Sequence, residues 1–255
     1  MKKLLLLLSI ILSVSLLGAC GQSKSTGANG DNNKKVLIMG TSADFPPFET
    51  RDINGNIVGF DVDLGKYIAK KLGYKLEVRD MKFDGLIGAL QAKRVDMVIS
   101  GMSATDDRKK NVDFSDEYHH SGEMFVTKKD SSINSVNDLK GKTVGFQLGS
   151  IQEEGAKNLQ KTVKFNTKAL DDATAIIQEL LSNRIQVAYL DKSVAEGYIK
   201  KQGLAGFNDP TSSSPGMGIA FPKDSNLVND VNKILKEMQD NGKMDELKAK
   251  WIKNN

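Results

Sequence analysis

The feature that most restricts how this chain can fold is a pattern that occurs twice. Leu86, Ile87, Leu90, Arg94, Val95, Met97 and Val98 are matched by Ile176, Ile177, Leu180, Arg184, Ile185, Val187 and Ala188, at a constant offset of 90 residues. Each copy reads as an amphipathic helix followed by a short, largely β-branched apolar run, the signature of a strand covered on both faces. A helix–strand pair used twice predicts two α/β lobes of like construction.

The flanking segments extend the plan. The run from Lys35 to Gly40 reads as a first strand, and Pro46 and Pro47 forbid its continuation. Asn54–Gly55 marks a hairpin turn. Leu64, Ile68 and Leu72 share one helix face, with Asp61 as the expected N-cap. Thr143–Phe146 is a strand that opens the second half, and the Leu227–Met238 run is an amphipathic helix followed by a last short one at Met244–Trp251.

Ligands of open α/β sheets collect beyond the carboxyl ends of strands, where backbone groups and helix termini are free. The strand ending at Ile99 runs into Ser100, Gly101, Met102 and Ser103, then Thr105, a helix-capping residue, and a single Arg108. Arginine there offers a planar fork of donors that fits a carboxylate, although charge is also ordinary at a helix start. Asp191 follows the second strand as Ser100 follows the first, so both are expected to face a shared crevice.

Composition removes other classes. The charge is +4, from 36 basic and 32 acidic residues well mixed along the chain, which leaves no basic stripe for nucleic acid. The two histidines, His119 and His120, are adjacent, and Cys20 is the single cysteine, so no metal site, cofactor or disulfide framework is expected. Residues 1–19 read as an export leader: Lys2 and Lys3 precede an apolar run from Leu4 to Leu17. Leu17–Gly18–Ala19–Cys20 resembles the bacterial lipobox, which implies lipidation of Cys20 and attachment to the outer face of the cell membrane. Residues 20–34, rich in Gly, Ser, Asn and Lys, read as a flexible tether.

Taken in order, Gly40–Phe48, Gly59–Leu64, Phe83–Ile87, Asp96–Ser100 with Arg108, Val112–Asp116 and Gly141–Gly145 resemble the polar amino-acid family of extracellular solute-binding proteins that serve bacterial ABC importers. The resemblance spans Val36 to Trp251. It implies a two-lobed, type II periplasmic-binding-protein-like fold, each lobe a mixed sheet flanked by helices, with two crossover strands between them near His119–Phe125 and Ser213–Ile219. Gly122, Gly216 and Gly218 are expected to ease rotation there. One lobe then comprises 35–120 and 219–255, the other 121–218 with the hinge strands.

The same resemblance implies the site. Arg108, helped by Ser103, takes a ligand carboxylate, and Ser150 donates a backbone N–H at a helix start. Asp191 pairs with the ammonium, with the carbonyl of Ser100 or Gly101 as a further acceptor; Asp191 also reads as a plain helix N-cap. Phe45 and Phe83 sandwich the ligand side chain. Ser42 stands where binders of basic amino acids often carry an acid, and Asp44, Glu49 and Asp61 lie near enough to lend negative charge. Gln147 and Gln152 suit a guanidinium or an amide. Gln147–Glu154 and Val194–Tyr198 resemble arginine binders of Gram-positive bacteria, so arginine is expected, with lysine, histidine or glutamine as alternatives. The partners implied are that amino acid and the permease's transmembrane subunits, with the protein a monomer. A small-acid dehydratase on the same scaffold is the distant enzymatic alternative.

Overall fold

A computed structural model describes residues 35–213 and 215–253. The export leader, Cys20 and the whole tether lie outside the described residues. Strand β1 (Val36–Thr41) sets the frame of a first five-stranded sheet. It pairs in parallel with β4 (Lys75–Asp80) on one side and β5 (Met97–Val98) on the other, in register Met39 to Val78 and Met39 to Met97. Parallel neighbours require crossovers. These are supplied by α1 (Phe60–Lys71) and α2 (Leu86–Gln91). Between β1 and α1 lies the small hairpin of β2 (Thr50–Arg51) and β3 (Ile57–Val58), turned at Asn54–Gly55.

The second five-stranded sheet repeats the arrangement. β8 (Thr143–Gln147) lies in parallel between β9 (Asn166–Leu170) and β10 (Val187–Asp191), with α4 (Ile151–Leu159) and α5 (Ala173–Leu181) as crossovers. The two copies of the sequence pattern thus occupy equivalent slots, α2–β5 in one sheet and α5–β10 in the other.

Each sheet is completed by two antiparallel strands, and here the chain changes sides. β6 (Asp113–His119) follows the one-turn helix α3 (Asp106–Lys109) at the edge of the first sheet, and the chain then enters the second sheet as β7 (Glu123–Thr127). α6 (Lys192–Gln202) and β11 (Ala205–Asn208) follow β10. The chain then returns as β12 (Met217–Phe221), inserted between β5 and β6. The connections therefore run over 120–122 and 209–216. The second begins earlier than the expected Ser213–Ile219, and Met217 and Gly218, assigned from sequence to the second lobe, pair with His119 and Glu117 of the first sheet. None of Gly122, Gly216 and Gly218 adopts a positive φ. Gly216 serves close approach instead: a Cβ there would stand 2.3 Å from the Glu117 carboxylate, which accepts its N–H at 2.9 Å.

Both faces of both sheets are covered, which is why the strands read as nearly continuous apolar runs. α1 packs on one face of the first sheet with α7 (Leu227–Asp240) and α8 (Lys243–Lys248), through Leu64, Ile68, Val231, Leu235, Met238 and Leu247. Each such side chain contributes about 1.5–3 kcal/mol on burial. α2 covers the opposite face through Leu86, Ala89 and Leu90. In the second sheet, α5 and α6 cover one side and α4 the other.

Candidate functional site

The carboxyl ends of β5 and β10 converge on a cavity between the two sheets. From the first come Gly101, Ser103 and Arg108; from the second, Gln147, Ser150, Ile151, Gln152 and Asp191; Phe45, Phe83 and Met217 complete the lining. Phe45, Phe83, Gly101, Ser103, Arg108, Gln147, Ser150, Gln152 and Asp191, all expected from sequence, are therefore brought together. Ser42, Ser100 and Asp61 do not border the cavity.

Arg108 is held by backbone. Thr105 caps α3 by accepting the Arg108 N–H at 3.3 Å. The guanidinium donates to the Ser103 carbonyl and, across the cavity, to the Gly149 carbonyl, each at 2.9 Å. Phe83 lies beneath it, ring centroid 5.3 Å from Cζ. Sequence reasoning paired Phe83 with Phe45 around a ligand side chain, but a face of the Phe83 ring is occupied by Arg108 itself. Burial lowers the guanidinium to about 10, partly offset by Glu154, so it stays charged at neutral pH.

Asp191 ends β10 and caps α6. Its Oδ1 accepts the N–H groups of Ser193 and Val194 at 2.7 and 3.4 Å. Capping uses one oxygen and leaves the carboxylate bordering the cavity, so the two readings of this residue coexist. Burial pushes Asp191 up to about 7, with Glu123 adding to the effect and the two cap bonds opposing it.

Ser150 is also a cap: its hydroxyl accepts from the Glu153 N–H and donates to the Gln147 carbonyl. Its own N–H, expected to serve an anion, is spent on that same carbonyl at 3.3 Å. The free donors at this helix start are the next ones, since the first N–H groups of a helix have no intrahelical partner. Ile151, the first residue of α4, borders the cavity. Sequence reasoning passed over Ile151 because an apolar side chain at a helix start carries no polar signal. It passed over Met217 because nothing local shows that β12 inserts beside β5.

Asp61 is not an N-cap; Gly59 holds that position. Asp61 is fully buried behind the site, where it accepts the Gly101 N–H at 2.7 Å and the Tyr118 hydroxyl at 2.9 Å. Ser42 donates its N–H to the Ser100 hydroxyl and borders a different recess with Asp80 and Lys82. The acid that does reach across is Asp44. Its Oδ2 accepts Gln147 Nε2 at 2.9 Å and the N–H of Ala173, the first residue of α5, at 2.8 Å. Burial pushes Asp44 up to about 6. With Arg108 on Gly149 and an ion pair between Lys82 and Asp171, these contacts join the two halves in a closed arrangement.

His119 packs edge-on to Phe48 and contacts the Ser193 hydroxyl, away from the cavity; burial lowers it to about 4, leaving it neutral. Among the described residues no cluster of three or more His, Cys, Asp or Glu could hold a metal ion, and no helix is long and apolar enough to cross a membrane.

Residues 37–254 match the family model for bacterial extracellular solute-binding proteins, family 3. The chain belongs to this family. Its similarity to the arginine-binding extracellular protein ArtP of Bacillus subtilis is 52% identity over 255 residues, covering 99% of this chain and 98% of the relative. An ancestral arginine-binding protein solved with arginine superposes with TM-score 0.81 at 45% identity, over 86% of this chain and 98% of that one. The ancestral protein solved with glutamine gives TM-score 0.80 at 44% identity over the same shares. The fold is thus the two-lobed type II arrangement, and the protein is an extracellular solute-binding protein rather than an enzyme.

Proposed function

We propose that this solute-binding protein captures arginine between its two halves and delivers it to the membrane subunits of an amino-acid ABC importer, tethered to the membrane through lipid on Cys20. The observation that carries the reading is that Arg108 and Asp191, from different sheets, border one cavity. An α-amino acid carries its carboxylate and ammonium in fixed relation. Arg108, the Ser103 hydroxyl and the start of α4 suit the carboxylate. Asp191 suits the ammonium. A ligand held by groups from both halves stabilises the closed form over the open one, as a population shift requires.

The side-chain end favours an N–H donor. Both amide hydrogens of Gln147 are spent, on Asp44 Oδ2 at 2.9 Å and on the Asp171 carbonyl at 3.4 Å, so Oε1 is the atom it offers a ligand. Phe45 adds an aromatic surface on which a desolvated guanidinium gains about 1–2 kcal/mol. An acceptor at this end disfavours a carboxylate-tipped side chain. The relatives that carry arginine in their names and titles support the same choice.

A thermal-shift screen over the common amino acids, followed by calorimetry, tests this. Arginine is expected to raise the melting temperature and glutamate to leave it unchanged. No response to any amino acid would refute the reading. Glutamine is the second reading, favoured by the ancestral relative solved with it and by an amide N–H fitting the same Gln147 oxygen. Tighter binding of glutamine than arginine would select it.

A further inference from the structure

Behind the end of β5, two carboxyl groups are buried together without a cation. Glu49, in the loop after β1, and Asp61, on α1, are both fully buried. Glu49 Oε1 accepts the Ser100 hydroxyl at 3.0 Å, while Asp61 Oδ2 accepts the Gly101 N–H and the Tyr118 hydroxyl. Their remaining oxygens, Glu49 Oε2 and Asp61 Oδ1, reach neither solvent nor any N–H or O–H donor. Ser100 and Gly101 are consecutive, so the two carboxyls bracket one peptide, and each acts electrostatically on the other.

Two ionised carboxylates cannot hydrogen-bond, and like charges in contact in a dry site do not both persist. A single proton between them converts two orphaned oxygens into a donor and an acceptor, which satisfies both. The asymmetry of the surroundings says where the proton resides. Asp61 is stabilised as an anion by two donors, Glu49 by one.

We propose that Glu49 and Asp61 share one proton, bound to Glu49 Oε2 and donated to Asp61 Oδ1, and that this singly charged pair positions the Ser100–Gly101 peptide for the ligand's ammonium group. In a trans peptide the N–H and the preceding C=O point in opposite directions. Tying the Gly101 N–H to Asp61 therefore turns the Ser100 carbonyl away from Asp61, at the point where Gly101, with φ +54°, borders the cavity. An ammonium bound beside Gly101 meets that peptide with a negative charge behind it. This second half rests on the amino-acid reading above; the shared proton does not.

The electrostatics agree with that assignment. Burial and the Asp61 charge raise Glu49 well above the usual carboxylate range, whereas burial raises Asp61 to about 6 against its hydrogen bonds. The other titratable groups acting on the pair are acidic, Asp44 from the loop after β1 and Tyr118 from β6. His119, next to Tyr118, is neutral. A carboxyl with a raised pKa in the folded state keeps a proton that unfolding releases, so its contribution to stability is full below the ordinary glutamate range and is lost as pH rises above it.

The test compares Glu49→Gln and Glu49→Ala with the wild type, reading melting temperature from pH 5 to pH 9 and arginine affinity by calorimetry. The amide N–H of Glu49→Gln replaces the shared proton permanently. Its melting temperature should therefore fall less with rising pH than the wild type's, and its Kd should stay within about threefold. Glu49→Ala should bind at least about tenfold more weakly. If Glu49→Ala does not fold, Glu49→Gln combined with Asp61→Asn, which is neutral, takes its place with the same expectation. Parallel pH curves for wild type and Glu49→Gln would overturn the shared proton. Equal affinity in Glu49→Gln and the folded Glu49→Ala or double variant would overturn the positioning role. Wild type that binds no arginine would overturn the ligand reading and the positioning role with it, while the pH comparison still decides the proton.

Discussion

Arg108→Ala removes the group on which the carboxylate contact depends, and its cost follows from the geometry. A guanidinium has five N–H donors. Two are committed, to the carbonyls of Ser103 and Gly149 at 2.9 Å each, and the rest are available to a ligand. A carboxylate bound by two of them forms two charge-assisted hydrogen bonds worth about 1.5–3 kcal/mol each. Alanine deletes both, together with the Gly149 bond that spans the cavity. At 1.4 kcal/mol per tenfold, a loss of about 3–6 kcal/mol raises Kd by about 10²- to 10⁴-fold. Folding should be nearly unaffected, because Thr105 caps α3 through the backbone N–H of residue 108, which alanine keeps. Arg108→Lys restores a charge without the planar fork, so its loss should be intermediate. Calorimetry with arginine, alongside a thermal melt of each variant, measures both quantities. A folded Arg108→Ala with Kd within about threefold of wild type would refute the assignment.

Arginine affinity should fall about tenfold between pH 8 and pH 6, because Asp191, pushed up to about 7, takes a proton that competes with the ammonium; calorimetry across that range should show Asp191→Asn binding weakly and with a flatter profile. Gly101→Ala should destabilise by about 1–3 kcal/mol in denaturant unfolding, since φ +54° disfavours a side chain and the new Cβ would stand 2.9 Å from the Phe45 ring. An unchanged midpoint there would dismiss the close approach. Cys20→Ser should move the protein from the detergent phase to the aqueous phase in a phase-partition assay of expressing cells, because stable anchoring needs lipid chains.

Much of the architecture was legible locally. The 90-residue repeat places α2–β5 and α5–β10 in equivalent slots because apolar periodicity reports which face of each element is covered. Thr105 and Asp191 were readable as caps because a cap needs only a short polar side chain a few residues before its donors. The site residues carried by strand ends were legible for the same reason: Gly101, Ser103 and Arg108 follow one buried run, Asp191 the other.

What the sequence determined by itself was therefore everything set within a few residues: the elements, their buried faces, their caps and the polar groups at their ends. Only the tertiary structure decided which acid does what. Asp44 reaches across to Gln147 and α5, Asp61 lies behind Gly101, and Met217 enters the cavity because β12 inserts between β5 and β6. Those outcomes depend on how segments 40 to 129 residues apart are brought together, and side-chain direction across a cleft leaves no periodic mark in the chain.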